Sequence, residues 1–323
     1  MQRTVTSTVL ACAAIAAMAA PVWGQTSYPN RAIRMVAPFA PGGASDFIAR
    51  MLSPRLSERL GQIVVVDNRS GAGGTIGFEI VVRAAPDGYT LMIASSSYAT
   101  NAAVTRKLSF DPVKDVTPIS LVGVAPLVLV VHPSVTARSI GELVALAKAQ
   151  PGRLKFGSSG TGGSPHLSGE LFKASAGIDL LHVPYKGSGP ALIDTLSGQI
   201  DMTFISMLVV RAHINAGRLR LLGVGTPQRA KALPEVPAIA ETLPGFESTS
   251  WYTVMGPARL PATLVARLNR EVNALANSPE VADRLANDTV EPKALSPEAT
   301  AKHVADEITR WKAVAQRAGV RLD

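Results

Sequence analysis

From residue 31 onward, short apolar runs of strand length alternate with longer stretches in which apolar residues recur every three or four positions. IRMVAPF precedes SDFIARMLSPRLSERLG, QIVVVDN precedes GGTIGFEIVVRAA, and TLMIASSS closes the series. The short runs read as buried strands and the longer ones as amphipathic helices, so the pattern predicts βαβ units and a mainly parallel sheet. APDGYT, at 85–90, is the turn before the third strand.

VTPISLVGVAPLVLVVHP, at 116–133, is too long and too β-rich for that rhythm and reads as a crossing between two lobes. The alternation then resumes. Ser139 and Glu142 form a capping-box pattern before LVALAKAQPG. LKFGSSG, DLLHVPY, IDMTFIS and LRLLGVGT are strands, separated by the helices SPHLSGELFKASAG, PALIDTLSG and VVRAHINAG. Residues 226–248 are proline-rich and read as an extended connection, and WYTVMGP reads as a second crossing strand. The remainder is helical, its last helix opened by Ser296, Pro297 and Glu298. Two crossings imply two α/β lobes, one built from 25–121 with 249–323 and the other from 122–248. The cleft between them collects the carboxyl ends of the strands, where ligand sites of open α/β sheets lie.

Composition adds three constraints. The chain has 323 residues, 47% of them hydrophobic, enough for a substantial core. Arg3, the apolar run from Val9 to Ala20, and small residues at Val22 and Gly24 form a secretory signal with cleavage expected after Gly24. The run is shorter than the roughly 20 residues of a membrane span, so a cleaved signal rather than a permanent membrane anchor is expected. The only cysteine, Cys12, lies in that segment, which leaves the mature chain without a disulfide. The net charge of +8 is spread out and aromatics are 5%, a pattern of a solvated basic surface rather than a nucleic-acid site.

Glycine-rich turns carry the candidate chemistry. APFAPGGASDFIAR runs from a strand through Pro41, Gly42 and Gly43 into a helix; FGSSGTGGSPHLSGELF and YKGSGPALID repeat the arrangement. Glycine admits unusual dihedrals and close approach, and the first amides of a helix attract anions. Ser158, Ser159, Thr161 and Ser164 place hydroxyls beside such amides, Ser95, Ser96, Ser97 and Tyr98 end another strand, and Ser206 ends IDMTFIS. Phe39 and Tyr185 either cover a ligand or pack against neighbouring elements. Asp46 caps the helix it begins, a better role than touching an anion it would repel.

Other chemistries fit poorly. No Gly-Lys-Ser or Gly-Lys-Thr occurs, and GAGGTIG places Ile76 where a dinucleotide fold needs its third glycine. Gly157-Ser158-Ser159-Gly160-Thr161 ends in threonine where a nucleophile elbow needs glycine. His166 as base to Ser158 or Ser159 would make a secreted hydrolase, an alternative the residues leave open beside packing or ligand contact. His166 and Glu170 share a helix face but lack further metal ligands, and the other histidines are single.

PFAPGGASDFIAR, VVVDNRSGAGGTIGFE, APDGYTL, KAQPGRLKFGSSG, HLSGELF, HVPYKGSGPALIDTLSGQID, PEVPAIAE and WYTVMGP stand in one order over nearly all of the mature chain. In these blocks the sequence resembles the substrate-binding receptors of tripartite tricarboxylate transporters, the Bug family. The resemblance implies a two-lobed, type II-like Venus-flytrap protein, periplasmic and monomeric, with no catalysis, metal or cofactor. It implies a small carboxylate ligand delivered to the transporter's membrane components; signalling to a membrane sensor is the alternative partner. It also implies a grip by the loop from Pro38 to Asp46, with Phe39, Ala40, Pro41, Gly42, Gly43 and Ser45, and by the loop from Ser158 to His166, with Thr161, Gly162 and Ser164. Gly163 stands where relatives commonly carry threonine or serine, which puts one hydroxyl contact in question. Ala238 and Thr253 depart from the family's usual threonine and glycine without a functional account.

Overall fold

The computed structural model describes residues 28–317, 319 and 320, so the signal segment and Cys12 lie outside the described residues. Every element discussed below lies in the unit that begins at Arg31.

Strands β1 (Ile33–Ala37), β2 (Val64–Asn68) and β3 (Thr90–Ser95) follow the first apolar runs, with β1 between the other two and parallel to both. Helices α1 (Ala44–Leu60) and α2 (Thr75–Val82) connect them. Helix α3 (Ser97–Val104) follows β3 almost at once, where the sequence pattern had extended the strand to Tyr98. All of its residues except Ala103 are buried, so it lacks the polar face from which a helical period is read.

Strand β4 (Val116–Val131) is the expected first crossing, 16 residues long and continuous through Pro118 and Pro126. Its first part pairs with β9 (Thr249–Pro257), the expected second crossing strand. Its last five residues pair with β7 (Met202–Ser206), and most of them also with β8 (Arg220–Val224). Along that last part the side chains alternate. Leu127, Leu129 and Val131 join a core with Phe156, Phe172, Phe204 and Phe246, while Val128 and Val130 join another with Ile205 and Val210. A strand buried on both faces has no polar alternation, which is why VLVV reads as one apolar run.

The remaining strands, β5 (Lys155–Ser158) and β6 (Leu181–Pro184), are parallel, and β5 is also parallel to β7. Helices α4 (Ile140–Ala149), α5 (Ser164–Ala176), α6 (Ser188–Leu196) and α7 (Met207–Asn215) fill the intervening positions. Ser139 caps α4 as expected, accepting from the Glu142 N–H at 3.2 Å. The strand order β2-β1-β3-β9-β4-β7-β5-β6 makes one curled sheet. It is mixed rather than mainly parallel, because both crossing strands run antiparallel to every neighbour they meet.

The stretch before β9 is a succession of bends and turns rather than the expected extended connection, with one short 3-10 turn at Ile239–Glu241. Ser248 ties it down: its N–H donates to the Gly225 carbonyl and its carbonyl accepts from Leu127. Helices α8 (Ala262–Ala276), α9 (Pro279–Asn287) and α10 (Pro297–Arg317) follow, interrupted by an unanticipated two-residue strand, β10 (Glu291–Pro292), on β4. Helix α10 returns to the first strands. Its Val304, Ile308 and Trp311 share a core with Val36, Met92, Trp251 and Met255.

Candidate functional site

The helices α1, α3, α5, α6 and α7 each start at the end of a strand or just after it, and their first residues meet in one narrow cleft. Gly43, Ala44 and Ser45 line it from α1, Ser95 and Ser97 from the β3–α3 junction, and Ser164 and Pro165 from α5. Ser188 opens α6 into it and Ser206 caps α7, accepting from the Leu208 N–H. Phe39, Leu127 and Ile205 add apolar surface, and Ser159, Ser250 and Tyr252 complete the lining. The cavity is about 30 Å³, so the lobes meet closely.

Its chemistry is uniform. The lining contains no Asp, Glu, Lys, Arg or His side chain, only hydroxyls, apolar groups and the starts of five helices. The first N–H groups of a helix have no intrahelical acceptor, and the helix dipole adds partial positive charge there. Such a cleft offers hydrogen-bond donors to an anion without fixing a formal charge.

Of the residues singled out in the sequence, Phe39, Gly43, Ser45, Ser95, Ser97, Ser159, Ser164 and Ser206 are brought together in this cleft. The others are placed outside its lining. Gly42 has φ +84°, the left-handed region that favours glycine, and its N–H donates to Asp46 Oδ2 at 3.1 Å, so its amide is already occupied. Asp46, in the first turn of α1, also accepts from Arg50 Nε at 2.9 Å and Asn68 Nδ2 at 2.9 Å. Burial alone would raise its carboxyl pKa; the bonds from Arg50, Gly42 and Asn68 hold it below the ordinary value. Gly42 and Asp46 face a separate open cavity of about 560 Å³ beside Arg50, Arg55 and Arg284.

Ala40 and Pro41 join the first loop to the third. The Ala40 N–H donates to the Lys186 carbonyl at 2.9 Å, and a Cβ on Gly189 would lie 2.3 Å from the Pro41 carbonyl oxygen, an approach only glycine permits. Two further bonds draw the ends of the sheet together: Thr100 Oγ1 to the Gly162 carbonyl at 2.8 Å, and the Ser164 N–H to Ser97 Oγ at 3.0 Å. Gly162 is thus engaged through its carbonyl. Thr161 and Tyr185 line another cavity, of about 490 Å³, and the Tyr185 hydroxyl donates to Asp194 at 2.5 Å. Burial and the Asp194 carboxylate push that phenol up to about 12. Ser96 donates to Ser250 Oγ at 3.0 Å, and Tyr98 belongs to the core against Phe78 and Phe110.

Ser158 and His166 take structural places. Ser158 Oγ lies 2.7 Å from His182 Nε2 and accepts from the Gly160 N–H, while His166 Nδ1 accepts from the Gly162 N–H at 3.2 Å. The two imidazoles stack at 4.1 Å and 29°. Burial, then the neighbouring His182 and Lys173, lower His166 to about 3; burial and Lys173 lower His182 to about 4. His166 therefore serves neither serine as a base. His166 Nε2 is 4.0 Å from Glu170, and no group of three or more potential metal ligands occurs among the described residues.

Ser188, Ser250, Tyr252, Leu127 and Ile205 were not anticipated individually. Ser188 stands within a glycine-rich helix start that was recognised. Ser250 and Tyr252 carry only one sequence signal, their period-two spacing across Trp251, whose ring is in the core.

Three comparisons bear on what such a cleft is for. Residues 48–320 match the model of the tripartite tricarboxylate transporter family receptor. The chain is 39% identical over 312 residues to Protein BugT of Bordetella pertussis, covering 96% of this chain and 95% of that one. Among solved structures, an R. palustris protein determined with adipate is 38% identical with a TM-score of 0.88, covering 91% of this chain and 99% of that one. MatC from Rhodopseudomonas palustris, with bound malate, is 29% identical with a TM-score of 0.85, covering 89% and 99%.

Proposed function

The chain belongs to the tripartite tricarboxylate transporter family of receptors, and from that premise we propose that its cleft captures a small di- or tricarboxylate, an acidic amino acid or an aromatic acid. A periplasmic carboxylate-binding receptor, not an enzyme, is the coarser statement the family carries. The proposal extends it to a monomer that is freed of its signal after Gly24 and hands its ligand to the membrane components of a transporter. Its moving parts are the lobes 25–121 with 249–323 and 122–248.

The observation that carries this reading is the convergence of five helix starts and a set of hydroxyls on a cleft with no charged side chain. Once the lobes part enough to enlarge the cavity of about 30 Å³, a carboxylate finds donors there in several directions, and a bound anion meets no fixed negative charge. Each helix start contributes about 0.3–1 kcal/mol and each hydrogen bond to a charged group about 1.5–3 kcal/mol. A few of each, less the ordering of the lobes, reach the roughly 8 kcal/mol of a micromolar complex. Because donors stand on elements from both ends of the sheet, the ligand engages all of them only with the lobes together, and binding favours closure. The similar proteins determined with adipate and malate support the same ligand class.

The test is a thermal-shift panel of di-, tri- and aromatic carboxylates and acidic amino acids on the purified mature protein. At a concentration 100 times Kd, a ligand of the native state adds about 2.7 kcal/mol. At least one carboxylate is expected to raise Tm in proportion to the logarithm of its concentration; no response across the panel would overturn the reading.

A further inference from the structure

We propose that Ser159 and Tyr252 are the specificity-determining hydroxyls of this cleft, each reading one end of a ligand that is acidic at both ends, and that Gly163 frees Ser159 for that role. The inference rests on the carboxylate reading above.

Both side chains are buried, at 4% and 1% exposure, and both line the cleft. Ser159 Oγ has no hydrogen-bond partner in the protein, and the Tyr252 hydroxyl has none of good geometry, although the Ser206 and Ser250 hydroxyls stand within reach of it. A buried hydroxyl without a partner costs about 1–3 kcal/mol, so two of them facing one cavity mark where a ligand supplies the acceptor. Burial pushes the Tyr252 phenol above its ordinary value, against the smaller opposing influence of Ser206 and Ser250 beside it, so it remains a donor at neutral pH.

The two hydroxyls stand at different helix starts. Tyr252 accompanies Ser206, the cap of the nine-residue α7, and Ser159 precedes the thirteen-residue α5. Each start therefore combines the partial positive charge of its helix with one hydroxyl, which makes two seats for anionic oxygen rather than one; at α5 the Ser164 N–H is already spent on Ser97 and Pro165 has none.

Gly163 explains how Ser159 reaches its seat. A Cβ at position 163 would lie 2.6 Å from Ser159 Oγ and 3.5 Å from Ser97 Oγ. Its backbone, at φ −69° and ψ 159°, is open to any residue, so a side chain here is opposed by space alone, chiefly by the Ser159 hydroxyl, which it would turn aside. The hydroxyl absent from position 163 is replaced by that of Ser159, occupying the room a side chain would take.

Isothermal titration with succinate, malate, adipate and the monomethyl ester of each tests the proposal in wild type, Tyr252→Phe, Ser159→Ala, Gly163→Ala and the double variant Ser159→Ala/Gly163→Ala. For the diacid that wild type binds best, Tyr252→Phe and Ser159→Ala are each expected to weaken binding about tenfold or more and to reduce the diacid-over-monoester preference by a similar factor. Tyr252→Phe should leave the ligand-free Tm close to that of wild type, since its hydroxyl makes no bond of good geometry to Ser206 or Ser250. Gly163→Ala should reproduce Ser159→Ala, and the double variant should add no further loss, the mark of two changes acting through one contact. If wild type binds a diacid and the preference is unchanged in both single hydroxyl variants, this inference is overturned and the carboxylate reading stands. If wild type binds none of these diacids, this inference is overturned, and the carboxylate reading is decided by its own wider panel.

Discussion

Ser97 Oγ accepts the Ser164 N–H at 3.0 Å and lies 3.2 Å from the Ser164 hydroxyl, so the first residue of α3 is bonded to the first residue of α5. Both are buried, and the contact links the β3 side of the sheet to the β5 side. One amide of α5 is therefore spent within the protein, and a ligand meets the neighbouring donors instead.

Ser97→Ala leaves the Ser164 N–H buried without its acceptor. The unfolding free energy should fall by about 1–3 kcal/mol, measured by urea denaturation with the slope unchanged. A variant as stable as wild type would show that another acceptor takes over.

Gly42 and Gly43 are adjacent but answer to different constraints. At Gly42 the left-handed backbone makes Gly42→Val costly to the fold, by about 1–3 kcal/mol. At Gly43, φ −91° is ordinary and a Cβ would find its nearest neighbour, the Ser188 N, at 3.7 Å. Gly43→Val should therefore keep more of the stability than Gly42→Val yet narrow the cleft and weaken carboxylate binding at least tenfold. Calorimetry and thermal melts on the pair separate the two effects; unchanged affinity in Gly43→Val would remove Gly43 from the site.

The alternation of strands and helices was legible because each element buries a face of the right period, and glycine-rich helix starts were legible because their chemistry is local. What could not be read was which side chain turns where. Ser158 and Ser159 are equivalent as sequence, but the β5 pairing sends Ser158 to His182 and leaves Ser159 at the cleft. Tyr252 enters the site only because β9 pairs it with Ser95 on one side and Gly123 on the other, contacts more than a hundred residues away. Helix α3, buried nearly throughout, gave no period at all.

Trp311 is fully buried in the core that α10 shares with β1, β3 and β9. Its removal opens a large cavity far along the chain from those strands. Trp311→Ala should destabilise the protein by about 3–5 kcal/mol, and truncation ahead of α10 should prevent folding of the strands it covers. Retention of a cooperative melt after that truncation would contradict the packing.

The stacked pair His166 and His182 predicts the response to acid. In an unfolded chain both titrate near 6.5, whereas in the native protein burial, with His182 and Lys173 acting on His166 and Lys173 acting on His182, holds them to about 3 and about 4. Between about pH 6.5 and 4 the unfolded state thus binds protons that the native state refuses. Stability must fall as the pH is lowered through that window, by at most about 1.4 kcal/mol per pH unit for each histidine. Above about pH 7 both are neutral in either state and contribute no slope. Carboxylates lost to protonation act at the lower end of the same range, so the comparison is made between variants. The slope of unfolding free energy against pH should be shallower in His166→Asn and in His182→Asn than in wild type, and the imidazole resonances of both should show no titration above pH 5. Equal slopes, or a midpoint near 6.5 for either ring, would mean that the stack opens to water before the protein unfolds.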